Sequence, residues 1–182
     1  MNGTTGVIYG IRLLQVLSEM KDVETHLIIS RACEQTIAIE TDSRIEEIKA
    51  HATYTYSIDD IAAGLASGSF LRDGMIVAPC SMKTLSSIAH SYADNLLTRA
   101  ADVTLKERDR LVLLVRETPL HLGHLKNMVR VTEMGGIILP PAPAFYHKPR
   151  TIQDIVDHTV GKALDLFRIE HKLYRRWSGT NE

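Results

Sequence analysis

Cysteine is scarce in this chain. Cys33 and Cys80 are its only two thiols in 182 residues, and they form no CxxC pair. That scarcity argues against a disulfide framework or a thiolate metal site and predicts reduced thiols. Excess charge is missing too: the formal net charge is −1, with no long block of like charge. Such a chain has no field to gather nucleic acid, so no nucleic-acid partner is expected. No apolar run approaches the ~20 residues of a spanning helix, and no signal-peptide pattern opens the sequence. No membrane association and a cytoplasmic location are therefore expected. Internal repeats, low-complexity tracts and linkers are absent, as are a Walker loop and a Ser-His-Asp order. What is present is 45% hydrophobic and 24% charged residues, the composition of one globular domain over residues 1–182 with a core of its own.

Short apolar runs alternate with helical periodicities along the chain. The spacing of Ile8, Ile11, Leu14 and Leu17 predicts a helix over residues 7–20. A buried strand is expected at 25–30, then helix over 32–50 in two pieces broken near Thr41-Asp42-Ser43. Residues 57–65 are read as a short helix capped by Ser57, and 66–69 as a loop. Strands are expected at 74–78, 111–115 and 136–139, and helices at 82–90, 96–107, 122–134 and 151–167. This exchange of strands and helices predicts an α/β fold with a mostly parallel sheet and right-handed crossovers.

Four blocks put hydroxyls, cations or a carboxylate where a strand stops or a helix starts, the carboxyl edge at which open α/β sheets bind anions. They are Ala78-Pro-Cys-Ser-Met-Lys-Thr84, residues 94–108, Arg116-Glu-Thr-Pro-Leu120 and the proline-rich turn ending at Tyr146. Ser81 and Thr84 suit a phosphate or a flavin edge, although Ser81 also reads as a plain N-cap. Arg99 and Lys106 lie seven apart on one helix and can share a face, whether for a ligand or for solvent. Arg116 beside Glu117 offers a phosphate contact and a proton, or a simple ion pair. Three prolines restrict where the Tyr146 hydroxyl points. His121 and His124 are spaced i,i+3 without a third ligand, which favours capping over a metal pair. Gly3-Thr-Thr-Gly6 reads as a strand-to-helix turn with N–H groups free to face a phosphate. Only Met1 and Asn2 precede it, so the first strand is expected to be missing, at the cost of unpaired backbone on its neighbours.

Together the strings APCSMKTL, DNLLTRAADVTLKER, RETPL and PPAPAFY resemble the UbiX-type flavin prenyltransferases, most of all the branch named as a component of phenolic (hydroxyarylic) acid decarboxylases. The resemblance runs from Gly3 to about Trp177. It implies a Rossmann-like three-layer flavoprotein assembled as a homododecamer. It further implies metal-free transfer of a dimethylallyl group from dimethylallyl monophosphate to reduced FMN, yielding the cofactor of a separate UbiD-type decarboxylase. By motif, Gly3, Thr4, Thr5, Ser30, Ser81, Met82, Lys83, Thr84 and Arg116 match FMN contacts. Lys106 and Tyr146 match the grip on the prenyl phosphate, and Arg99 a charged residue beside it. Glu40 and Glu117 match acidic residues of the family, Glu117 as proton donor to the departing phosphate, and Trp177 an aromatic near the site. Lys162 stands where the family has Arg, which keeps the charge but loses the bidentate fork. Two alternatives stay open from sequence: direct decarboxylation by a flavoprotein, of an aromatic acid or a peptidyl cysteine, and a truncated, non-catalytic flavin-binding paralogue.

Overall fold

A computed structural model describes residues 1–177 and 179. Its organising element is the strand Arg110–Val115, whose residues from Leu111 onward are all buried. A strand apolar at both parities must be covered on both faces. Leu111, Leu113 and Val115 belong to one core cluster, with Leu85 and Ile88 of one helix and Leu97 and Ala101 of the next. Val112 and Leu114 point into another, with Leu13 and Val16 near the N-terminus and Val160 and Leu164 near the C-terminus. The result is three layers, helix on sheet on helix.

In chain order the elements are α1 Val7–Ser18, β1 His26–Ile28, α2 Arg31–Glu40, α3 Ile45–Lys49, β2 Tyr54–Tyr56, a 3₁₀ turn at Gly64–Ala66, β3 Gly74–Cys80, α4 Met82–Ala89, α5 Leu96–Lys106, β4 Arg110–Val115, α6 Leu122–Glu133, β5 Ile137–Ile138 and α7 Ile152–Leu166. Every strand pairing is parallel, as the alternation of strands and helices predicts. The helices begin at competent caps. Ser30, Ser81, Asn95 and Thr151 each accept a backbone N–H with the side chain. Pro79 supplies no N–H near the end of β3, and the register against β4 shifts between Val77 and Cys80.

The strands form two sheets, β1-β2 and β3-β4-β5. A cavity of about 650 Å³ separates β1 from β3, at the place where an absent first strand leaves its neighbours unpaired. Met1 sits at its end: the α-amine donates to Ile28 O at 2.5 Å, and Ser30 N donates to Met1 O at 3.1 Å.

Two local readings are corrected. Residues 57–65 are not a helix. Ser57 instead closes turns, its Oγ accepting from Asp59 N and its carbonyl from Asp60 N, and only the 3₁₀ turn at Gly64–Ala66 is helical. Tyr54–Tyr56, unassigned from sequence, pairs with β1. Elsewhere element ends move by a few residues, β3 extending to Cys80 and β5 shrinking to two residues.

Candidate functional site

The starts of α1, α2 and α4 meet at the carboxyl edge of β1 and β3. The α1 start is built by Gly3, Thr4, Thr5 and Gly6, with Gly6 at φ +96°, a left-handed value that favours glycine. Gly3 lies so close to α2 that an added Cβ would meet Ala32 Cβ at 2.4 Å. Neither end of α1 carries a side-chain cap. Glu40, at the far end of α2, reaches back instead, its Oε2 accepting from Gly6 N at 2.9 Å and Val7 N at 3.2 Å. This helix start therefore already holds an anionic group.

The α2 and α4 starts follow the same logic. Ser30 Oγ accepts from Cys33 N at 3.1 Å. Ser81 Oγ accepts from Thr84 N at 3.3 Å and donates to Asn2 Oδ1 at 2.5 Å, while Asn2 Nδ2 donates to Thr84 Oγ1. Asn2 thus ties the Gly3–Gly6 turn to Ser81 and Thr84. Met82 and Lys83 continue this first turn, Lys83 exposed. Arg116 follows directly at the end of β4, its N–H donating to Cys80 O at 3.2 Å. Among the described residues Arg116 and Glu117 form no ion pair with each other; Glu117 Oε1 accepts from Thr118 N at 3.0 Å. Beneath this edge Cys33 and Cys80 are free and buried, and burial pushes their thiols up to about 11 and about 12.

Arg99 and Lys106 do share a face of α5. Arg99 Nε donates to Ala66 O at 3.2 Å and pairs with Asp102 at 2.8 Å; Lys106 pairs with Glu107 beside Gly68. Tyr146, Lys162 and Trp177 gather elsewhere, around α7. The Tyr146 hydroxyl lies 2.8 Å from His158 Nε2, its ring meets Trp177 edge-on at 6.1 Å, and Lys162 Nζ is 3.7 Å from Asp165. Burial pushes His158 down, as do nearby His147 and Lys162. Burial raises Asp165, but hydrogen bonds from Arg176, Tyr174 and His171 outweigh it and hold the carboxyl down at about 2. No hydrogen bond, ion pair or ring contact joins the α5 cations to the α7 group among the described residues.

Sequence reasoning missed Asn2, His158 and Asp165. His158, Lys162 and Asp165 stand at i, i+4 and i+7 of α7, so helical periodicity alone could have put them on one face. His121 is a cap, as expected, its Nδ1 accepting from Gly123 N at 3.0 Å.

Comparison with known proteins identifies the architecture. A family model described as Flavoprotein matches residues 1–164. The flavin prenyltransferase UbiX of Escherichia coli (strain K12) is 54% identical over 181 residues, 98% of this chain and 96% of that protein. The chain belongs to the flavoprotein family, among the UbiX flavin prenyltransferases. Two solved members of that group superpose closely. AnUbiX (PadA1), in complex with FMN and dimethylallyl pyrophosphate, matches with a TM-score of 0.97 and 50% identity over 100% of this chain and 96% of its own. A dodecameric FMN-dependent UbiX-like decarboxylase from Escherichia coli O157:H7 matches with a TM-score of 0.95 and 49% identity, over 98% of this chain and 100% of its own. The Rossmann-like three-layer fold read from the UbiX resemblance is thus the fold observed.

Proposed function

We propose that this chain transfers a dimethylallyl group from dimethylallyl monophosphate to reduced FMN and that the prenylated flavin serves a UbiD-type decarboxylase. The observation that carries the reading is the meeting of three helix starts with Asn2, Ser81 and Thr84 at one sheet edge, in a chain of this family. The donor set fits the flavin. Gly6 and Val7 N–H already hold a carboxylate, so the α1 start accepts a phosphate once Glu40 yields it. Gly3, Thr4, Thr5 and Ser30 line that end; Ser81, Met82, Lys83 and Thr84 take the polar edge of the ring system, with Arg116 adding a cation.

Reduced FMN, when bound, supplies the electron-rich N5 and C6 positions that accept the prenyl group. The chain's own residues deal with the leaving group. Breaking the allylic C–O bond puts its electron pair on the phosphate oxygen, and Glu117 gives that oxygen a proton. Lys106 and Arg99 face the phosphate from one copy of the chain and Tyr146 and Lys162 from another, stabilising the charge as it forms. Glu40, released from α1, adds a carboxylate beside the reacting centre, and Trp177 keeps water out. This sharing requires a homo-oligomer, for which the family's dodecamer is the natural candidate. We place the protein in the cytoplasm, where Cys33 and Cys80 stay reduced.

The test is anaerobic incubation of the protein with reduced FMN and dimethylallyl monophosphate, followed by mass analysis of the flavin. One added prenyl unit is the expected result. Unmodified flavin, together with carbon dioxide release from a hydroxybenzoate by the protein alone, would replace this reading with direct decarboxylation.

A further inference from the structure

The slot between β1 and β3 is shaped for polypeptide. Each of these strands is hydrogen-bonded on one edge only, β1 to β2 and β3 to β4; their other edges face the cavity without a strand partner among the described residues. Unpaired N–H and C=O groups in a buried place carry a cost that a strand between them removes. The direction of such a strand is already set. Met1 N donating to Ile28 O and Ser30 N donating to Met1 O are two consecutive rungs of a parallel ladder with β1. Burial also pushes the Met1 amine down, as expected of a group lodged in an apolar interior.

The walls set the chemistry of the occupant. Leu13 and Leu14 of α1 lie along the slot, and so do Leu97 and Ala100 of α5. These pairs belong to different helical layers, so side chains of both parities would meet hydrocarbon, as those of β4 do. A charged or amide side chain would be buried there without a partner. The lining stretch of β3 from Gly74 to Ala78 matches about five residues of extended chain, ~16 Å.

We propose that the slot is a docking site for one extended aliphatic peptide segment of about five residues, added as a β-strand parallel to β1 with its carboxyl end at Met1. It is strand addition with a partner edge on each side rather than one.

The experiment delivers the segment in two ways: as a free acetylated pentapeptide of Leu, Ile and Val, and as the same pentapeptide joined to the Met1 nitrogen. Hydrogen exchange at Leu27, Ile28 and Val77 is read by NMR, with Tm alongside. Either delivery is expected to slow exchange at these amides at least tenfold. The free peptide at tenfold excess over its Kd is expected to raise Tm by ~3 °C or more. A peptide with Pro at its centre, which removes a ladder donor, is expected to lose the effect. Unchanged exchange with both deliveries overturns the proposal, as does equal protection by a Ser/Asp/Gly pentapeptide.

Discussion

Glu117 and Lys162 test the chemistry at the scale of single residues. Glu117 stands at the end of β4, exposed, its carboxylate accepting only a local N–H among the described residues. It is placed to lend a proton rather than to hold the fold. Glu117→Gln keeps shape and polarity but cannot supply the proton, so prenyl transfer should slow by ~10²-fold or more, the usual worth of general acid catalysis. FMN affinity should stay the same. Single-turnover flavin absorbance measures both, and an unchanged rate removes Glu117 from the role. Lys162 is half exposed and holds Asp165 at 3.7 Å, a weak attachment that leaves its ammonium free to move. An ammonium is a point charge where the family's guanidinium is a two-pronged donor. Lys162→Arg should therefore lower KM for the isoprenoid ester several-fold with kcat little changed; a raised KM would mean that Lys162 does not face the phosphate.

At the scale of elements, α7 is both a stability determinant and the platform of half the site. Its start is a capping box: Thr151 Oγ1 accepts from Asp154 N at 3.1 Å, and Asp154 accepts from Thr151 N at 2.9 Å. Thr151→Ala should cost ~1 kcal/mol, a fall in Tm of ~2–4 °C for a chain of this size. At its other end Asp165 gathers His171, Tyr174 and Arg176 and so fastens the C-terminal segment to the helix. Its folded pKa, about 2, lies below the ordinary aspartate value of ~3.9. The sign follows: the attachment is complete above ~3.9 and is lost as pH falls towards the folded value. Trp177, the only tryptophan, packs on Tyr146, so its fluorescence should change across that acid window. In Asp165→Asn the acid step should vanish. The long, periodic helices were legible in the sequence because each has a competent cap and a continuous apolar stripe, as α5 and α7 show. Residues 57–65 misled because Ser57 offers the backbone a turn in competition with a helix. β2 was missed for a different reason. It is three residues long and exposed at Tyr54 and Thr55, so burial leaves no period-2 mark on it.

For the whole molecule the decisive fact is where the site residues fall in one chain. The flavin-edge residues converge, since they follow strands whose ends a parallel sheet must bring together. That much was readable from strand ends and caps. The phosphate-gripping residues do not converge: Lys106 lies against the 64–69 loop, whereas Tyr146 and Lys162 lie on α7. No periodicity within one sequence reports a contact between two copies of it, and that is why the motifs looked like a single rim. If the grip is completed across a subunit junction, defects in its two halves must be separable. Lys106→Ala and Tyr146→Phe homo-oligomers should each be strongly impaired. Oligomers assembled from an equal mixture of the two chains should regain about a quarter of wild-type activity, because each junction draws its two halves independently. Mixed oligomers no more active than the parents would place Lys106 and Tyr146 in the same half, and the shared site would have to be abandoned.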